Sequence, residues 1–260
     1  MNISILWCGF DFGGTMQDPR KGYPYTVEVI NEIYTELGKP EVVNEKVARL
    51  DELLAELEYD ERLMDGIEHE IELWKRTFRF KRLQETAIHK FFSYILGNDQ
   101  DAIELYRERR LRFFKPADGL KECVTYLKDK GISVNIVSDV GSEETLKIIS
   151  YFLSLYDLTP YFSEIITNYG RIKKNGDMDL SYKGMNKIDG TIYKKLARDL
   201  LDIGIKPSQV LIIGDRPVED VDTAKENGFK TIQFTGIVKR RVSNAADYVI
   251  SDLKELKKIL

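Results

Sequence analysis

Histidine and cysteine are nearly absent, with two of each in 260 residues. So few histidines exclude a multi-histidine metal cage. Cys8 and Cys123 can form one bridge at most, so no disulfide framework staples the chain. Long apolar runs are missing too. None approaches the roughly 20 residues that a bilayer span needs, and no basic flank leads into an apolar stretch at the N-terminus. Nor is there an excess of positive charge: lysine and arginine number 39 against 43 aspartates and glutamates, a formal net charge of -4. That balance supplies no global field toward nucleic acid. The absences lead us to expect a cytoplasmic protein of a reducing compartment with neither nucleic acid nor membrane as a partner; a monomer or homodimer is the expected state, which none of these absences decides. A chain this long buries roughly three quarters of its unfolded surface, enough for a large core carrying a smaller domain.

Ile3 to Phe10 is a short, mostly apolar run that stops at Asp11 and is followed by Gly13 and Gly14. A buried strand entering a tight turn has this pattern. From about Thr26 to Arg112 apolar residues recur instead at helical spacing: Val29, Ile30, Ile33 and Tyr34; Leu50, Leu53, Leu54 and Leu57; Leu63, Ile67, Ile71 and Trp74; Ile88, Phe91, Phe92 and Ile95. Gly38-Lys39-Pro40 and Gly97-Asn98-Asp99 punctuate the series, which reads as four or five helices. After Phe114 the grammar alternates. Residues 132–137, 165–167, 210–213, 231–234 and 248–250 read as strands, and 119–130, 142–156, 191–203, 217–227 and 252–259 as helices. That alternation predicts right-handed crossovers and a mostly parallel sheet. The expected class is α/β: a Rossmann-like core of residues 1–18 and 114–260 with helices on both faces, and an all-helical domain inserted over 19–113.

Ligands of such sheets sit beyond the carboxyl ends of the strands. Asp11, Ser138, Asp139 and Asp215 all stand at predicted strand ends. Gly13, Gly14 and Thr15 place several backbone N–H groups in the same small turn as Asp11, an arrangement suited to phosphate. The segment Gly214-Asp215-Arg216-Pro217-Val218-Glu219-Asp220 adds three carboxylates around a helix start marked by Pro217. Glu219 by itself reads as a capping acid. Asp11 and Asp215 would repel each other at one sheet edge unless a cation lies between them. Carboxylate and carbonyl oxygens suit an octahedral Mg2+ that also bridges to phosphate. Ser138 can donate to a phosphate oxygen, and Lys187 is the lysine chosen to neutralise one further charge.

With these residues in place, the chain resembles the haloacid dehalogenase-like hydrolases, mostly magnesium-dependent phosphatases, over essentially its whole length. The first family motif, a strand followed by Asp-x-Asp-x-Thr or Asp-x-Asp-x-Val, is matched by Asp11-Phe12-Gly13-Gly14-Thr15. The second, a Ser or Thr ending the next core strand, is matched by Ser138. Lys187 matches the third, a lysine before a helix, without its usual prolines. Gly214, Asp215 and Asp220 match the fourth, Gly-Asp-x-x-x-x-Asp. The resemblance implies that Asp11 is a nucleophile forming an aspartyl phosphate. It implies a Mg2+ bound by Asp11, Asp215 and the backbone carbonyl of Gly13, with Asp220 acting directly or through water. Ser138 and Lys187 would hold the phosphate, with Gly14, Thr15 and Asp139 beside them. The helical insertion resembles the family's cap, and the implied substrate is a small phosphorylated metabolite.

Position 13 departs from the pattern. The family places there an Asp that protonates the leaving oxygen and later activates water. Glycine has no proton to give, and loss of a positioned acid-base group costs about 10² to 10⁴ in rate. Four readings stay open: a leaving group that needs no acid, such as an acyl phosphate or anhydride; a proton from a neighbouring residue or the substrate; a weak or inactive relative that binds a metabolite or protein; or an introduced substitution. Asp-x-Gly-Gly-Thr also resembles the Asp-x-Ala-Gly-Thr of phosphonate-cleaving members, which use a cap lysine. Lys39, Lys46, Lys75, Lys81 and Lys90 are available for that role. True dehalogenases carry a bulky residue instead.

Asp18 is a stand-in acid if the loop bends back, and otherwise a loop-fixing residue. Asn175-Gly176 between short alternating stretches signals a hairpin, and Lys183 beyond it rivals Lys187. His69 and His89 read as surface or partly packed residues of the insertion. The basic cluster of Arg107, Arg109, Arg110, Arg112 and Lys115 reads as a solvated or substrate-facing surface.

Overall fold

The computed structural model describes residues 4–18, 23–49, 52, 95–109, 114–140 and 143–260. Two compact units divide the chain: Met1–Gly22 with Phe114–Leu260, and Tyr23–Phe113. The elements in chain order are β1 (Trp7–Phe10), β2 (Gln17–Asp18), α1 (Tyr23–Glu36), α2 (Gln100–Arg109), β3 (Lys115–Pro116), α3 (Leu120–Asp129), β4 (Ser133–Ser138), α4 (Glu143–Leu155), β5 (Phe162–Thr167), β6 (Gly170–Lys173), β7 (Met178–Asp179), α5 (Thr191–Asp202), β8 (Val210–Gly214), α6 (Thr223–Glu226), β9 (Lys230–Phe234), β10 (Tyr248–Ile250) and α7 (Leu256–Ile259).

The larger unit is built on one sheet of order β10-β9-β8-β1-β4-β5-β6-β7, with β2 and β3 as a separate antiparallel pair. Strands from β10 through β5 are parallel, while β6 and β7 turn back as a hairpin around Asn175-Gly176. The α/β class read from the sequence is therefore the fold observed. Alternate residues of each strand serve opposite faces. Cys8, Phe10, Val134, Ile136 and Ile213 pack with Leu120, Val124 and Leu127 of α3 and with Ile149 and Phe152 of α4. Trp7, Val137, Ile166 and Ile212 face Ile192, Tyr193, Leu196 and Leu200 of α5. Helices thus cover both faces, and Cys8 and Cys123 are buried free thiols inside the first layer. The chain passes from β1 outward to β4 and β5, then later fills β8, β9 and β10 on the other side. Strand order reverses between β1 and β8, the position where open α/β sheets form their ligand crevice.

Several expected elements differ: the strand expected over 165–167 already begins at Phe162, and the helix expected over 252–259 opens with the 3-10 turn Leu253–Glu255. The first strand begins at Trp7. The helix expected over 217–227 starts as a wide π-type turn, Pro217–Asp222, before α6. Side chains stabilise the wide turn: the Arg216 amide donates to Asp220 Oδ2 at 2.9 Å, and the Thr223 hydroxyl reaches the Val218 and Glu219 carbonyls, each at 3.0 Å.

In the smaller unit, α1 buries Val29, Ile30, Ile33 and Tyr34 against Ile95, Leu96, Ala102 and Ile103, as the helical spacing requires. The Tyr34 hydroxyl donates to the Ile95 carbonyl at 3.1 Å, and residues 43–49 are also helical. The expectations for Leu50, Leu53, Leu54, Leu57, Leu63, Ile67, Ile71, Trp74, Ile88, Phe91 and Phe92 lie outside the described residues. So do those for His69, His89, Lys75, Lys81, Lys90, Arg110 and Arg112. No helix among the described residues is long and apolar enough to cross a membrane.

Candidate active site

β1 lies between β4 and β8, with Phe10 level with both Ile136 and Ile213. The residues just beyond these three strand ends therefore meet at one edge of the sheet. The Asp11 amide is tied to the Ile213 carbonyl at 2.8 Å, and the amides of Met16 and Gln17 converge on the Phe12 carbonyl at 3.0 and 2.8 Å. Gly14 makes this turn possible. Its φ is +78°, and a Cβ there would stand 3.0 Å from Asp215 Oδ2. Glycine serves both the left-handed backbone and the close approach of the second acid.

Beyond β8 the wide turn brings Asp220 back beside Asp215, with the Asp220 amide donating to the Arg216 carbonyl at 3.0 Å. Carboxylate oxygens of Asp11, Asp215 and Asp220 then lie within 4.8 Å of one another, and all three residues are buried. Lys187, only 2% exposed, donates from Nζ to Asp11 Oδ1 and to Asp220 Oδ1, each at 2.6 Å. The Ser138 hydroxyl donates to the same Asp11 oxygen at 3.0 Å. Asp139 does not reach this carboxylate cluster by any hydrogen bond described; its two oxygens accept from the Lys187 amide at 3.0 and 3.3 Å and so fix the lysine loop. Lys183 is exposed, whereas Lys187 is the lysine seated on the acids.

Burial shapes the electrostatics here. It would depress the Lys187 ammonium, but Asp11 and Asp220 outweigh it and hold the lysine well above its ordinary value. Burial pushes the Asp220 carboxyl up to about 7, against the pull of Lys187. Asp215 is also raised, first by burial and then by the charge of Asp11. Crowded carboxylates in this state favour further positive charge. Asp215 Oδ1 is buried with no hydrogen-bond partner, while Oδ2 accepts from Arg240 Nε at 2.7 Å. An all-oxygen donor set with one unused buried oxygen fits a hard divalent cation such as Mg2+.

A family model described as haloacid dehalogenase-like hydrolase matches residues 5–228. The chain belongs to that family. Solved structures with the same fold include the HAD-hydrolase YfnB of Bacillus subtilis bound to magnesium (17% identity, TM-score 0.61, 98% of each chain covered). A HAD phosphatase of Thermococcus onnurineus is 20% identical with a TM-score of 0.54, covering 98% of this chain and 97% of that one. A 2-haloacid dehalogenase of Pseudomonas syringae is 14% identical with a TM-score of 0.51, again covering 98% and 97%. Identities this low speak for the fold alone. Among curated proteins, the glyceraldehyde 3-phosphate phosphatase of Pyrococcus furiosus is 24% identical over 159 residues, which cover 60% of this chain and 58% of that relative's length.

In this haloacid dehalogenase-like hydrolase, Gly13 is exposed, and a Cβ built on it would meet nothing within 4 Å. The Thr15 hydroxyl is buried without a hydrogen-bond partner among the described residues. Asp18 is buried in the β2–β3 pair, level with Lys115. Glu219 stands 3.5 Å from the Arg216 guanidinium. Sequence reasoning missed Arg240 and Gln233. Gln233 is the penultimate residue of β9, whose end lies at the same edge, whereas Arg240 stands six residues beyond that strand and carries no local signal. Gln233 carried a further signal as a polar residue inside the apolar strand Lys230–Phe234.

Proposed function

We propose that this hydrolase removes the phosphoryl group from a small phosphorylated metabolite, with Asp11 as nucleophile and Mg2+ as cofactor. The observation supporting this most directly is the convergence of three buried carboxylates within 4.8 Å, two of them bridged by the Lys187 ammonium. Attack by a carboxylate on a phosphate is uphill unless positive charge absorbs the negative charge of the phosphoryl oxygens. Lys187, held cationic in a buried place, takes that charge, and Ser138 and the Thr15 amide donate to the same group; the Gly14 amide is instead spent on the Gln17 carbonyl at 3.0 Å. Asp139 contributes by positioning Lys187. Asp11, Asp215 and the Gly13 carbonyl would hold Mg2+, with Asp220 acting directly or through water, and the bound ion would supply Lewis-acid neutralisation of the transferring group. Attack by Asp11 forms an aspartyl phosphate and expels the leaving oxygen; water then cleaves the acyl phosphate and frees inorganic phosphate.

The substrate class follows from what surrounds position 13. With no acid there, a leaving group that departs as a stable anion is favoured, as in an acyl phosphate. The curated relative, a glyceraldehyde 3-phosphate phosphatase, supports a small phosphorylated metabolite.

A panel of phosphate esters, acyl phosphates and phosphonates, assayed with and without Mg2+, tests the reading against Asp11→Asn. We expect Mg2+-dependent turnover, fastest on acyl phosphates and lost in Asp11→Asn. Turnover that survives in Asp11→Asn would remove the nucleophile assignment. A folded, Mg2+-binding protein inert to the whole panel would instead be a metabolite- or protein-binding descendant, and cleavage confined to phosphonates would point to the phosphonate-cleaving relatives.

A further inference from the structure

Asp215 is gripped by a segment that lies outside all four family motifs. Arg240, in the stretch between β9 and β10, donates from Nε to Asp215 Oδ2 at 2.7 Å; its side chain is 35% exposed and that of Asp215 1%. The same stretch is buckled to the strand end a second time. Gln233, fully buried, donates from Nε2 to the Arg241 carbonyl at 2.8 Å and reaches the Asp215 carbonyl at 3.4 Å, while its Oε1 accepts from the Ser243 amide at 2.7 Å. Gly14 closes in on the same oxygen, since a Cβ there would lie 3.0 Å from Asp215 Oδ2 and 3.2 Å from Val238 Cγ2 of the same stretch. The carboxylate is thus fixed in one rotation. Oδ2 is committed to the guanidinium, and Oδ1 is left buried without a hydrogen-bond partner.

We propose that Arg240 is a positioning residue for the divalent cation, turning Asp215 so that Oδ1 is presented to the ion and setting how tightly the ion is held. The inference rests on the metal-site reading above and deepens it. A nearby guanidinium repels a cation, but here its charge is screened by its solvent exposure, while its hydrogen bond fixes the direction of a buried ligand. Orientation therefore outweighs repulsion. Hydrogen bonds to metal ligands of this kind are worth about 10- to 100-fold in affinity.

Calorimetric titration of Mg2+, and separately Mn2+, into the wild type, Arg240→Ala, Arg240→Lys and Lys239→Ala tests the assignment, with melting of each protein in EDTA as the control. We expect about 10- to 100-fold weaker binding in Arg240→Ala, partial recovery in Arg240→Lys, and no change in Lys239→Ala, whose side chain is an exposed neighbour. Melting in EDTA should stay within a few degrees throughout. Unchanged or tighter binding in Arg240→Ala overturns the role, as does an equal loss in Lys239→Ala or a loss that follows a collapse in melting. A wild type that binds neither cation overturns the metal site itself, a result distinct from a wild type that binds and an Arg240→Ala that binds as well.

Discussion

Asp220 folds back over Gly214 so closely that a Cβ at position 214 would stand 2.2 Å from the Asp220 Cγ. The acid has no room to yield, because Lys187 holds one of its oxygens at 2.6 Å and the Arg216 amide holds the other at 2.9 Å. Gly214→Ala should therefore cost about 1–3 kcal/mol through overpacking and weaken cation binding with it. Urea denaturation paired with Mg2+ titration checks both effects; wild-type values in each would mean that Asp220 can stand elsewhere without consequence.

Lys187 offers a second test, because it is the ammonium shared by two acids that are otherwise buried. Removing it in Lys187→Met leaves carboxylates uncompensated, a change that typically costs about 3–5 kcal/mol. The more negative site should then hold a divalent cation more tightly, so the stability lost in EDTA should exceed the loss in saturating Mg2+. Equal losses under the two conditions would show that lysine and cation do not share one site.

Strand ends made Asp11, Ser138 and Asp215 legible, because a hydrophobic run stopping at a polar residue is a local pattern and the sheet rule then gathers such residues at one edge. Lys187 was legible as a lysine shortly before the helix at 191, a place the family resemblance supports; the geometry that separates it from Lys183 is its reach to Asp11 and Asp220. Arg240 was not legible. Nothing periodic marks its stretch, and its contact exists only once Gln233 has drawn the residues after β9 back toward Asp215. The β2–β3 pair escaped for a similar reason, since two-residue strands almost 100 positions apart leave no local signal and form only when the chain closes. Pro217 marked a helix start correctly, yet the width of that turn is decided by Asp220 and Arg216 across it.

Acid should loosen the far edge of the sheet through Asp247. Burial pushes this carboxyl up, but the Lys225 ammonium, the Thr231 amide and Lys230 outweigh it and hold it below its ordinary value. A depressed folded value means that the contribution is present above the ordinary value near 3.8 and fades as pH falls through the lower folded one. Asp247→Asn should thus be less stable than the wild type at pH 6, with the gap narrowing toward pH 3. Urea curves at the two pH values measure it, and a gap that stays constant would show that the charge of Asp247 plays no part.

Position 13 separates the assembly of the site from its chemistry. Gly13 does not have a positive φ, and its missing Cβ would meet nothing within 4 Å, so an aspartate can be placed there without backbone strain or collision. The backbone carbonyl proposed to face the cation survives the change. Gly13→Asp should therefore melt and bind Mg2+ nearly as the wild type does, while supplying the proton donor that the leaving oxygen of an ester requires. Its kcat/KM on phosphate esters should rise toward the factor of about 10² to 10⁴ that a positioned acid contributes. Acyl phosphates should gain little, because their leaving carboxylate is already stable without a proton. The ratio of the two rates isolates the effect from any general change in the site. An unmoved ester rate in a folded, Mg2+-binding Gly13→Asp would mean that protonation of the leaving oxygen is not what this turn lacks, and that the proton comes from the substrate or from another residue.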